Sequence, residues 1–263
     1  MMLLLGACSG PWTEHDLTIA SDAVGDSYDV RVIVPDAAPT GDWPVLVFQD
    51  GDYWPRHDGT LADALAGGAP PFVLVAVAYQ GFHTGLTGGL SDETLDRRLR
   101  DITEVEIEDV PGTGGAMAFQ GFLDDELLDA VEAELGLGLT AERSARATFG
   151  YSAFGLSVTH GLLGGSETYG GWCAGSASLR RFDAPIYAAE DDPAPGTLSG
   201  WARFTIGSEE TEDAAALDEL LGWLDDGDQP DLEITRDTFE GEDHAGAMKP
   251  AFEACLEEIT ARW

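Results

Sequence analysis

Residues 43–49 and 72–79 are apolar at nearly every position, the pattern of strands covered on both faces. Residues 15–20 and 28–34 alternate instead, with the turn-forming run 22–26 between them and Pro35 at the end. That pattern predicts an antiparallel pair at one edge of a sheet. A short helical segment at 60–65 separates the two apolar runs, so strand, turn, helix and strand make a parallel βαβ unit. This places residues 50–54 at a strand's carboxyl end, where open α/β sheets bind ligands. Helical spacing returns at 119–131, 213–224 and 248–263, and further strands are expected at 145–151, 169–176, 201–207 and 232–235. Residues 80–115 are polar, glycine-rich and acidic with little periodicity, and read as one long functional loop.

The strand at 145–151 runs without a loop into the apolar helical stretch 156–163, with Gly150, Tyr151 and Ser152 at the corner. A serine at so sharp a turn has its hydroxyl lifted clear of the sheet, and the next amide, of Ala153, opens a helix where it can bind developing negative charge. The usual spacing is Gly-x-Ser-x-Gly; here Phe154 takes the last place and the glycine comes one residue late, at Gly155. Serine is also a preferred helix N-cap. The motif alone leaves catalysis and capping both open.

A nucleophile needs a base, and the base an orienting acid. The chain has 5 histidines. His160 lies two turns into the helix after Ser152 and reads as structural, and His15 belongs to the edge strand. His57 and His83 occupy loops that can border the cleft but follow no late strand. His244 follows the last strand and precedes the closing helix. The strand before it ends in Ser208, Glu209 and Glu210, which gives the order Ser152, Glu210, His244 found in α/β hydrolases, with Glu209 one register step away. The arginines Arg97, Arg98 and Arg100 are expected to pair with nearby carboxylates such as Asp96, Asp101 and Glu104.

Taken together these segments resemble the esterase family of the α/β-hydrolase superfamily that includes esterase D-like, enterochelin esterase-like and feruloyl esterase-like enzymes and the mycolyltransferases. The likeness runs through nearly the whole chain after its first residues. It covers the strand at 45–54 ending in Asp50-Gly51, Arg98-x-x-Asp101-x-Thr103 with the glycine-rich run 112–119, and Glu126-Leu127 in a helix. It continues through 150–156, the serine-rich strand 169–179 and the histidine segment 241–244. The resemblance implies an α/β-hydrolase fold: a mostly parallel central sheet with an antiparallel N-terminal edge pair and helices on both faces. It implies a serine carboxylesterase acting on a small-molecule ester or thioester, with Ser152 as nucleophile, His244 as base and Glu210 as acid, Glu209 being second choice. The amides of Ala153 and of Gly51 or Asp52 would form the oxyanion hole. Tyr53, Trp54 and Tyr151 are expected to line the substrate pocket, and no metal or organic cofactor is required. Two alternatives stand beside this reading. One is a catalytically inactive hydrolase-fold binding protein of the cell envelope, which Phe154 favours; the other is an acyltransferase.

The length of 263 residues suits one large domain, taken here as 11–263. A formal net charge of -36 makes nucleic acids and anionic lipid surfaces poor partners. Residues 1–10 read as a leader. Leu5-Gly6-Ala7-Cys8 resembles a lipobox, which would put a lipid on Cys8 and the protein in the cell envelope, although no Lys or Arg precedes it; the alternative is a frayed cytoplasmic N-terminus. Cys173 and Cys255 sit among apolar residues and are expected as buried, unpaired thiols, although export would allow them to pair. The pair Asp191-Asp192 lacks the spacing of a calcium loop and reads as solvated surface.

Overall fold

A computed structural model describes residues 11–79, 90–180 and 197–263, with the backbone alone for 54–56. The alternating N-terminal segments form β1 (Trp12–Ser21) and β2 (Asp26–Pro35), an antiparallel pair at the sheet edge. The apolar runs form β3 (Val45–Phe48) and β4 (Val73–Ala78), parallel to each other, with α1 (Asp58–Ala66) between them. The sheet continues in parallel through β5 (Arg146–Tyr151), β6 (Gly171–Gly175), β7 (Ser199–Gly207) and β8 (Asp231–Phe239). Its order is β1-β2-β4-β3-β5-β6-β7-β8.

Side chains of successive strand residues point to opposite faces, and the two apolar strands divide accordingly. Val45, Val47, Val73, Val75 and Val77 enter one core, and Leu46, Phe48, Leu74, Ala76 and Ala78 enter the other. The first core is covered by α3 (Ala116–Gly121), a π-helical turn (Phe122–Glu126), α4 (Leu127–Leu135), α5 (Ala153–Leu163) and α6 (Thr211–Asp226). The second is covered by α1 and the closing helix α7 (Met248–Arg262). Both faces of the sheet are thus sealed, which is why its central strands carry no polar alternation.

Three expectations need correction. The segment 80–115 is not a structureless loop, for it contains α2 (Asp92–Ile102), capped by Ser91, whose hydroxyl accepts from the Thr94 amide. Of the carboxylates expected to hold the arginines, only Asp101 does so, by binding Arg100. Arg97 reaches back to Asp26, Arg98 pairs with Asp50, and Glu104 binds His160 instead. Finally, Cys173 of β6 and Cys255 of α7 are joined as a disulfide, with a Cα–Cα distance of 5.8 Å across 82 residues of sequence. Both are buried as expected, but they are not free thiols.

Candidate active site

The corner between β5 and α5 is built by close backbone approach. A Cβ on Gly150 would stand 2.1 Å from the Phe154 carbonyl oxygen, and one on Gly155 would stand 2.7 Å from that of Gly175. Those two glycines let the helix turn back against β5 and β6. Phe154 therefore need not be small. It is fully buried, lies against Phe119 and Tyr79, and carries the Arg98 guanidinium 4.7 Å above its ring. The turn forces Ser152 to φ 58 and ψ -116, a conformation that costs a non-glycine residue about 1–3 kcal/mol and persists only where its surroundings fix it. Here its amide donates to the Gly175 carbonyl (2.8 Å), and its own carbonyl accepts from the amides of Leu156 (3.2 Å) and Ser178 (3.0 Å).

His244 leaves the loop between β8 and α7 and brings Nε2 to 2.9 Å from Ser152 Oγ. On its other side Nδ1 lies 2.5 Å from Glu210 Oε2. A carboxylate at Nδ1 fixes the neutral ring with its proton there, leaving Nε2 free to accept from the serine. The second oxygen of Glu210 receives the Gly207 amide (2.9 Å) and the Ser176 hydroxyl (2.7 Å). Its side chain is only 5% exposed, whereas that of His244 is 50% exposed. Of the two glutamates one register step apart, Glu210 meets the imidazole, while Glu209 is exposed and its amide donates to the Glu242 carbonyl (3.1 Å). Ser152, Glu210 and His244 follow the carboxyl ends of β5, β7 and β8, parallel strands of which the first two flank β6.

Ala153 opens α5 with its amide at the helix N-terminus. Gly51 and Asp52 open a 3-10 turn, Gly51–Arg56, just beyond β3. Since Phe48 pairs with Phe149, Gly51 and Ser152 each lie three residues past a paired position on neighbouring strands. The carboxylate of Asp52 is buried and accepts the Tyr79 amide (3.0 Å), bracing the end of β4. Tyr53 is half-buried with the Arg98 guanidinium 5.7 Å from its ring centre, and the side chain of Trp54 lies outside the described residues, as do Cys8, His83 and Asp191-Asp192. Burial works against the Arg98 charge, but Asp50 more than offsets it and the guanidinium is held well above its ordinary value.

The other described histidines stay out of the constellation. His57 is buried against Phe48 and Phe252, His160 holds Glu104 at 2.7 Å, and His15 is in β1. Tyr151, expected in the pocket, is 2% exposed, so it belongs to the core beneath the site. Three residues near the centre lie in segments that the sequence marked but were given no role of their own: Ser176, Ser178, whose hydroxyl lies 3.4 Å from that of Ser152, and Asp50 beneath Arg98. The signal that points to the two serines is their place just past the end of β6, beside the elbow strand.

Neither a protein-family model nor a curated protein matches the chain. Solved structures do. The BES protein from Bacillus cereus superposes with a TM-score of 0.78 at 20% identity, over 98% of this chain and 97% of that one. The siderophore hydrolase EstB from Aspergillus nidulans gives 0.78 at 18% identity, over 100% and 99%. The enterobactin and salmochelin hydrolase IroE gives 0.74 at 23%, over 97% of each. At such identities the likeness is one of architecture, and with the strand order above it gives this chain the α/β-hydrolase fold.

Proposed function

We propose that the protein is a serine carboxylesterase that works through an acyl-enzyme on Ser152. The observation that carries this reading is the unbroken contact series from Ser152 Oγ to His244 Nε2 (2.9 Å) and from His244 Nδ1 to Glu210 (2.5 Å), on a serine held at positive φ. In the proposed reaction Ser152 Oγ attacks the ester carbonyl while His244 Nε2 takes its proton. The imidazolium so formed is stabilised by Glu210, and the oxyanion by the amides of Ala153 and of Gly51 or Asp52. Collapse breaks the ester C–O bond, and the proton on Nε2 leaves with the alcohol. Water, deprotonated at the same nitrogen, then releases the acid and restores Ser152.

The His244 side chain is half-exposed, which supports hydrolysis by solvent water over transfer to a bound acceptor. Phe154, the residue that favoured a catalytically silent binding module, is core and leaves the elbow intact, which supports the enzyme over that alternative. The names of the similar structures add siderophores to the candidate substrates. A disulfide forms in an oxidising compartment, which supports export to the envelope; a lipid on Cys8 belongs to the same proposal.

A fluorophosphonate probe is expected to label the wild type and not Ser152→Ala, and short p-nitrophenyl esters to be hydrolysed with the same dependence. A folded wild type that neither reacts nor turns over would remove the esterase reading and leave the fold.

A further inference from the structure

The residue just before the nucleophile makes contacts that neither packing nor substrate binding calls for. Tyr151 ends β5 and its ring is buried among the residues of the α7 face, 5.3 Å from the His244 ring. Its phenol points to the loop between β8 and α7, where it donates to the main-chain carbonyl of His244 at 2.6 Å. The same oxygen lies 2.9 Å from Ser176 Oγ, so its single proton is shared between those two acceptors, and Ser176 in turn donates to Glu210 Oε1. One phenol thus touches both supports of the imidazole: the backbone that carries it and the serine that holds its acid.

The surrounding chain is shaped to admit this side chain. A Cβ on Gly175 would stand 2.6 Å from Tyr151 Cδ2, so only glycine fits there. The next residue, Ser176, sits at φ 38, an uncommon value for a side chain other than glycine, and this conformation delivers its hydroxyl to the acid. The histidine segment itself is irregular. Its other anchors are local or lie on the β7 side, namely the Glu209 amide on the Glu242 carbonyl and the Gly241 amide on Ser208 Oγ. Without the phenol nothing described ties residue 244's own backbone to the elbow.

We infer that Tyr151 is a positioning residue, a strut that registers the histidine segment and, through Ser176, the acid against the strand that presents Ser152. The inference rests on the esterase reading above. It gives the phenol a role in placing the imidazole rather than in contacting substrate, and burial together with the charges of Glu210 and Asp243 keeps that phenol protonated as a donor.

The test is Tyr151→Phe, which keeps the ring and removes the donor. With a p-nitrophenyl ester, kcat is expected to fall roughly 10- to 100-fold, as slight misplacement of a reacting group does, while KM moves less than about twofold. Fluorophosphonate labelling of Ser152 should slow by a similar factor. In the proton NMR spectrum, the low-field imidazole resonance of the His244–Glu210 bond should broaden or vanish, a readout independent of turnover. Ser176→Ala should broaden the same resonance. An active wild type whose Tyr151→Phe variant keeps kcat within twofold and retains that resonance would overturn the strut and leave the esterase standing. A fall in both kcat and thermal midpoint with an unchanged resonance would overturn it too, by assigning Tyr151 to packing alone. A wild type with no turnover and no labelling removes the esterase reading, and the resonance then decides the strut by itself.

Discussion

Gly155 passes so close to Gly175 that a methyl group on it would meet the latter's carbonyl oxygen at 2.7 Å, while its neighbour Phe154 is wholly enclosed by the core. The two residues have exchanged the parts that the usual motif spacing gives them. Restoring that spacing with Phe154→Gly should therefore harm the protein. Removing a buried phenyl ring costs about 3–5 kcal/mol, and glycine inside a helix adds up to about 1 kcal/mol. Gly155→Ala should also destabilise, by about 1–3 kcal/mol, because both atoms its methyl would meet first are backbone. Denaturant unfolding of the two variants measures both, and a Phe154→Gly protein as stable as the wild type would refute this account of the elbow.

The proposed acid, Glu210, can be separated from its neighbour by kinetics. Glu210→Gln keeps the shape but offers an amide to Nδ1, and in a Ser-His-acid triad such a change lowers kcat roughly 10⁴-fold. Glu209→Gln touches an exposed carboxylate and should alter activity by no more than about twofold. Equal losses from both would contradict the geometry at His244.

Much of the architecture was legible because its causes are local. The apolar runs at Val45–Phe48 and Val73–Ala78 have no polar face to hide, and the order Ser152, Glu210, His244 follows from which strands end where. Helix α2 escaped because its inward side mixes Leu99 and Ile102 with buried polar residues. It buries Asp101, which accepts from Tyr28 (2.7 Å), Tyr79 (2.9 Å) and Arg100 (2.6 Å), so the helical spacing of Leu95, Leu99 and Ile102 is diluted by charged neighbours. Ser91 followed by two acidic residues was the available sign, a capped helix start. The partners of Arg97 and Arg98 escaped because they are distant in sequence and meet only once β2 and β3 lie under α2. Two cysteines 82 residues apart likewise give no hint of distance in space.

The disulfide should be worth a measurable share of the stability. Closing a loop of that length stabilises by about 2–5 kcal/mol, chiefly by restricting the unfolded chain. Cys173→Ala combined with Cys255→Ala should lower the thermal midpoint and make it indifferent to dithiothreitol, whereas the wild type should lose stability once reduced. Equal midpoints for the double variant and the oxidised wild type would remove any stabilising role.

Asp26 gives a pH dependence with a definite sign. Burial opposes its charge, but the hydrogen bonds from Arg100 and the Ser27 amide and the charges of Arg97 and Arg100 outweigh it, so its carboxyl titrates below the ordinary 3.8. A depressed carboxyl contributes stability that is present above its unfolded value and fades as the pH drops through its folded one. Asp26→Asn should therefore destabilise at pH 7 and by less near pH 3, as read by urea unfolding at both values; a constant difference would contradict the assignment.

Among the described residues β8 has a sheet neighbour on one side only, β7, yet it leads directly into the loop that holds the imidazole. Fraying there would carry His244 off while the inner strands stay paired. Turnover should then disappear at lower urea than tryptophan fluorescence does, which would make catalysis a gauge of one outer strand's attachment rather than of the folded state as a whole.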